Sequence, residues 1–126
     1  MRCLLDTQVL LWALSDDRRL PAQARRLLVS GDAEVCFSLG SIWEIAIKHS
    51  IGKLAFGPAL IADTAEADGY LPLPIRREHL SVVANLPWHH RDPFDRLLVA
   101  QSIAEPASLL TADAALGRYG PTVHVL

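Results

Sequence analysis

The chain holds 126 residues, 51% hydrophobic and 21% charged, with a formal net charge of −2. That length suits one domain, residues 1–126, with a core large enough to need no disulfide or metal. The apolar content excludes intrinsic disorder, the scattered 7 Gly and 8 Pro exclude collagen-like chains, and no run approaches the ~20 apolar residues of a membrane span.

Residues 2–5 form an apolar run ending at Asp6, the pattern of a short buried strand. Asp6 arrives before a signal-peptide core can develop, so a cytoplasmic protein is expected. Thr7 can cap a helix through Leu14 that Ser15-Asp16-Asp17 ends. Leu20-Pro21 opens another, with Ala24, Leu27 and Leu28 at helical spacing, and Ser30-Gly31-Asp32 is a turn. Glu34–Phe37 reads as a second strand; a helix starts at Ser41 and closes near Gly52, and another runs from Pro58 to Asp68. Tyr70–Leu73 is extended, Glu78–Asn85 helical and Leu86–Arg91 a loop. Asp92-Pro93 opens a helix through Ile103, and Ser108–Leu110 and Val123–Val125 are the last strands. Cys3 and Cys36 fall inside apolar strands, as buried free thiols of a reducing compartment, and the three tryptophans are read as core or interface residues.

Short apolar strands alternating with helices predict an α/β domain with a buried, mostly parallel sheet. Chemistry in such sheets sits beyond the carboxyl ends of the strands. Asp6, Ser38, Thr111 and Asp113 all fall at strand exits.

Asp6 is flanked by sequence that should be buried, where an unpaired carboxylate is costly. It reads as a site residue, with a helix cap as the plain alternative. Glu44 lies among apolar neighbours, yet Ser41-x-x-Glu44 also fits a capping box, and both readings stand. In Asp92-Pro93-Phe94-Asp95, Asp92 is assigned mainly to capping and Asp95 mainly to chemistry. Asp113 follows Leu109-Leu110-Thr111-Ala112 and would otherwise cap a short helix. His89 and His90, without a partner at zinc-site spacing, read as exposed loop residues. Acids converging at one sheet edge repel each other unless a cation sits among them. Oxygen ligands select Mg²⁺ or Mn²⁺, which with an activated water suits phosphodiester hydrolysis. The cations of the chain are lopsided, ten Arg against Lys48 and Lys53 alone.

Leu4-Leu5-Asp6-Thr7-Gln8-Val9-Leu10-Leu11-Trp12, Ser41-Ile42-Trp43-Glu44-Ile45-Ala46, His90-Arg91-Asp92-Pro93-Phe94-Asp95-Arg96-Leu97-Leu98-Val99-Ala100-Gln101 and Leu110-Thr111-Ala112-Asp113 together resemble PIN-domain ribonucleases, in particular VapC-like toxins of type II toxin–antitoxin modules. The resemblance spans nearly the whole chain, with the motifs in family order. It implies a three-layer α/β/α domain with about five parallel strands and metal-dependent cleavage of RNA (tRNA, rRNA or mRNA), leaving a 5′-phosphate and a 3′-hydroxyl. Matched position by position, Asp6, Glu44, Asp95 and Asp113 are the acidic quartet. Asp6, Asp95 and Asp113 would hold Mg²⁺ or Mn²⁺, with Asp92 as an extra acid beside them. Thr7 and Thr111 are supporting hydroxyls, and Arg91 and Arg96 would meet substrate phosphates or else pair with Asp92 or Glu105. Gln8 stands where relatives of this subgroup often carry His, which removes a titratable ring but no acid.

The resemblance also implies a cognate antitoxin covering the acidic pocket, and a homodimer whose surface comes from apolar residues of the helices at 21–28 or 58–70. An inactive relative would keep only partner binding, its acids docking an antitoxin arginine. Two other phosphate chemistries fit less well: an Asp-x-Asp nucleophile motif fails at Gln8, and a receiver-type site lacks a late lysine.

Overall fold

Side chains of a strand point alternately to its two faces, so a strand apolar at every position must be covered on both sides. After Arg2, β1 (Arg2–Leu5) is such a strand, and the computed structural model, which describes residues 1–126, buries Cys3, Leu4 and Leu5 completely. It lies central in a five-stranded sheet with β2 (Glu34–Ser38), β3 (Leu71–Leu73), β4 (Ser108–Thr111) and β5 (Val123–Val125). The order is β3-β2-β1-β4-β5 and every pairing is parallel.

The alternation sorts the core into two layers. Cys3 and Leu5, Val35 and Phe37, and Leu110 face one side. There they meet Val9 and Leu10 of α1 (Thr7–Ser15), Ala24 of α2 (Ala22–Val29), Ile45 of α3 (Leu39–Ser50) and Ile61 and Ala65 of α4 (Pro58–Ala67). Leu4, Cys36, Leu73 and Leu109 face the other side, against Leu98 and Val99 of α6 (Pro93–Ala104) and Leu116 of a 3₁₀ segment, Ala114–Tyr119. α5 (Arg77–Asn85) packs on α6. The result is the three-layer α/β/α arrangement expected from the sequence. No helix is long and apolar enough to cross a membrane, and both cysteines are free and buried.

Two local details differ from expectation. The helix expected from Ser41 starts earlier, because the Ser38 hydroxyl accepts the Gly40 N–H at 2.9 Å and caps α3 from Leu39. Ser41 is therefore inside the helix and the capping box with Glu44 does not form, which leaves the Glu44 carboxylate free of backbone duty. Gly40 suits that start: a Cβ there would stand 2.6 Å from Leu97 Cδ2, so a larger residue would force the Leu97 side chain of α6 to move. Of the tryptophans read as core or interface residues, Trp12 packs on the core, while Trp43 and Trp88 are exposed, which sets aside the core half of that reading for these two.

Because the chain passes from β1 to β2 and β3 on one side and then crosses back to β4 and β5 on the other, the strand order reverses between β1 and β4 and a crevice opens at their carboxyl ends. The site lies there.

Candidate active site

Asp6 is the first residue beyond β1 and its backbone N–H still reaches Leu110 O of β4 at 3.0 Å. Its side chain is used twice. Oδ1 accepts the Val9 N–H at 2.7 Å, so Asp6 rather than Thr7 is the N-cap of α1, and Oδ2 accepts the Thr111 hydroxyl at the end of β4. The cap and site readings of Asp6 are thus one geometry. Thr7, now the first helical residue, donates its hydroxyl to Ser41 Oγ at 2.9 Å and ties α1 to α3. Thr111 Oγ1 also accepts the Asp113 N–H at 3.0 Å, which turns the chain so that Asp113 caps the 3₁₀ segment through Ala115 N–H.

Glu44 reaches the crevice from α3. Lys48, one turn on, holds its Oε2 at 3.0 Å, while Oε1 is buried with no hydrogen-bond partner. Asp92 caps α6 as expected, its Oδ1 accepting the Phe94 and Asp95 N–H groups at 2.8 and 3.1 Å. Asp95, at the third helical position, faces inward. The five acids, with Thr7, Gln8, Leu11, Arg19, Lys48, Lys53, Leu54 and Ala112, line one cleft of about 840 Å³.

Burial raises the Asp6 carboxyl above its usual range, partly offset by the Thr111 hydroxyl and the Val9 N–H. Asp95 is pushed up to about 7, by burial first and then by the Asp92 carboxylate, with Asp6 and Glu44 adding to it and His90 opposing. It is raised so far because burial strips water from the carboxylate, and the like charges around it add to that effect.

His90 belongs to the site, contrary to its reading as an exposed loop residue. Its Nε2 lies 2.9 Å from Asp113 Oδ2 and 3.7 Å from Asp95 Oδ2. One ligand-type atom from each of these three residues lies within 4.8 Å of the others. The Asp92 N–H donates to His90 Nδ1 at 3.1 Å, so Nε2 is the nitrogen that carries hydrogen and donates to Asp113. The available signal was its place two residues before a helix cap, where a ring nitrogen can accept the cap's own N–H. Lys48, Lys53 and Arg19 were missed as cleft residues as well. Lys48 was detectable from its i,i+4 spacing to Glu44.

The two arginines expected at substrate phosphates are not brought to the cleft. Arg96 is 4% exposed and does not line the cleft. Its guanidinium donates to Pro87 O at 2.8 Å, Val83 O at 3.3 Å, Leu86 O at 3.5 Å and Tyr119 Oη at 3.0 Å, and stacks 3.7 Å from the centroid of the Trp88 ring. A planar five-donor group suits such a cluster of carbonyls, which explains the diversion. Arg91 is exposed and lines a hollow with Trp88 and Pro93 instead. Neither pairs with Asp92, nor with Glu105, which Arg2 and His79 occupy.

Four carboxylates from four separate elements, one oxygen of Glu44 unpartnered and Asp95 unable to ionise normally, form a donor set that a hard divalent cation would satisfy. Residues 3–120 match the PIN domain. The chain belongs to the PIN domain family. PIN domains are generally nucleases, and the acidic cleft of this one occupies the edge of the sheet where its topology permits a site. In fold this PIN domain is similar to a chain in the crystal structure of VapBC2 from Rickettsia felis bound to a DNA fragment from their promoter. The TM-score is 0.71 at 15% identity, over 100% of this chain and 98% of that one. No curated protein sequence matches the chain.

Proposed function

We propose that this PIN domain, working as one unit over residues 1–126, is an Mg²⁺- or Mn²⁺-dependent endoribonuclease and the toxin of a type II toxin–antitoxin module. The observation that carries the reading is the convergence of Asp6, Glu44, Asp92, Asp95 and Asp113 on one cleft, where His90, Asp95 and Asp113 each present a ligand-type atom within 4.8 Å of the others. Asp6, Asp95 and Asp113 would hold the cation, with Asp92 beside them. When bound, a divalent cation supplies neutralisation of these acids and electrostatic stabilisation of the charge that develops on a phosphodiester.

Thr111 and Val9 fix both oxygens of Asp6, so this ligand is ordered before any cation or substrate arrives. His90 does the same for Asp113 by donating to Oδ2. Glu44, which lines the cleft, would orient a water there and accept its proton, with Lys48 holding the carboxylate through Oε2. In-line attack leaves a 5′-phosphate and a 3′-hydroxyl. Thr7 supports the arrangement by locking α1 to α3.

The antitoxin is the expected protein partner, and the VapBC2 likeness in fold supports that choice. A homodimer is expected as well; exposed apolar side chains stand on α4 (Leu60) and at the end of α2 (Val29), and also on α3 (Trp43 and Ile47). Cytoplasmic RNA is the proposed substrate.

The test is cleavage of a mixed tRNA and structured-RNA pool by antitoxin-free protein, with Mg²⁺ or Mn²⁺, with EDTA, and beside Asp6→Asn. Discrete fragments that vanish with chelator are expected. Asp6→Asn should lose more than the ~10–100-fold typical of an outer-shell change, with an unaltered circular dichroism spectrum. Folded protein that neither cleaves nor binds Mn²⁺ would leave the acids as a docking site for an antitoxin arginine.

A further inference from the structure

The loop from Leu86 to Arg91 sends one side chain inward to the acids and leaves another in solvent. His90 points in and meets Asp113, whereas Trp88, two residues earlier, is 76% exposed. An indole is among the costliest side chains to leave in water, and this one is also held still. Arg96 lies beneath its ring at 3.7 Å and is itself fixed by three carbonyls and the Tyr119 hydroxyl. A guanidinium with that many acceptors cannot follow a moving ring, so the ring is pinned on one face and open on the other.

The other tryptophans are not in this state. Trp43 is engaged edge-on by Phe94 at 5.0 Å, and Trp12 is part of the apolar packing around α1. Trp88 alone combines exposure with a rigid cationic backing. It is also tied to the acid edge, because the Tyr119 hydroxyl that accepts from Arg96 accepts the His90 N–H too, at 3.1 Å. Trp88 is two residues before His90, so their Cα atoms lie within ~7 Å of each other and the ring stands on the same loop that reaches the carboxylates. Exposed Arg91 shares a hollow of about 240 Å³ with Trp88 and Pro93, and offers a cation for a phosphate there.

We infer that Trp88 is a stacking platform for one unpaired base of the RNA, flanking the phosphodiester to be cut, with Arg91 holding the neighbouring phosphate. This rests on the ribonuclease reading. An open π-face accepts any base, and a base in a duplex is not free to reach it. The platform therefore selects single-stranded or looped RNA, with little preference for base identity.

The test is fluorescence anisotropy with a labelled, unstructured RNA oligonucleotide and its duplex form, in Mg²⁺, using full-length Asp6→Asn protein so that no cleavage intervenes. Adding Trp88→Ala should weaken single-strand binding by ~10-fold or more, and Trp88→Phe by less than ~3-fold, with duplex binding equal for all three. An oligonucleotide with a single abasic position, moved along the strand, should show one position that costs the parent affinity and leaves Trp88→Ala unaffected. Unchanged single-strand affinity in Trp88→Ala overturns the inference. So does an equal loss on duplex, or a loss that accompanies only an altered oligomeric state, which would make Trp88 a contact between copies. Trp88-dependent binding by a wild-type protein that cleaves nothing would defeat the nuclease reading and leave the platform. Cleavage with Trp88-independent binding would do the reverse.

Discussion

Asp95 pays electrostatically for its position more than the helix dipole of α6 returns, until a cation is present. Its carboxyl rises from ~3.9 in an unfolded chain to about 7 in the fold. Between those values the native state keeps a proton that the unfolded state has lost, so stability falls as pH rises from ~4 to ~7 and stays low above. Asp95→Asn removes this penalty and sacrifices no hydrogen bond. It does forgo a helix-dipole benefit of ~0.3–1 kcal/mol, which the burial effect outweighs even when discounted for screening. The metal-free variant should therefore melt above wild type at pH 8 and at the same temperature near pH 4, while cleaving no RNA. A lower melting temperature than wild type at pH 8 would show that Asp95 is stabilised in the native fold by something other than metal. Asp6 behaves differently, since hydrogen bonds, the Thr111 hydroxyl's foremost, offset part of its burial; one carboxylate is braced and its neighbour is left in need.

Every element that brings a functional group to the crevice begins with a side-chain cap. Asp6 caps α1, Ser38 caps α3, Asp92 caps α6 and Asp113 caps the 3₁₀ segment. A strand exit that turns straight into a helix must satisfy free N–H groups, and short acids do so while keeping a second oxygen for the cleft. Asp92 is the cleanest case, because one oxygen takes both N–H groups. Asp92→Asn should keep the cap, the stability and measurable cleavage, whereas Asp92→Ala should lose ~0.5–2 kcal/mol in urea denaturation. Abolished cleavage in a stable Asp92→Asn protein would place this residue among the metal ligands. The same capping logic explains where the sequence misled: Ser41 with Glu44 has the spacing of a capping box, but Ser38 captures the helix start one turn earlier and frees Glu44.

Across the whole molecule, Arg96 joins parts that the sheet does not. It links α5 through Val83, the following loop through Leu86 and Pro87, and the 3₁₀ segment through Tyr119. Arg96→Ala would leave several of these acceptors without a donor and should cost roughly 2–4 kcal/mol, measured by urea unfolding. Arg96→Lys, lacking the planar fork, should recover only part of that. A neutral Arg96→Ala would mean that water replaces the guanidinium freely. The sheet order does the complementary work, since the crossover from β3 back to β4 on the far side of β1 opens the crevice and brings four chain-distant acids to one rim.

The elements themselves were legible because apolar runs, Asp-Pro and Gly turns are local signals. β1, β4 and α6 declare themselves in four to twelve residues, and acids at strand exits marked the rim before any fold was known. Which acids share a cleft, and what else joins them, depended on residues far apart in the chain. His90 became a donor to Asp113 because the loop is anchored on Tyr119, 29 residues later. Arg96 left the substrate side because backbone carbonyls of α5 and its loop surround it. Composition and periodicity determine which segments must be buried; the direction in which a polar side chain leaves a buried element is decided by which partner can satisfy it, and that partner exists only once the layers have packed.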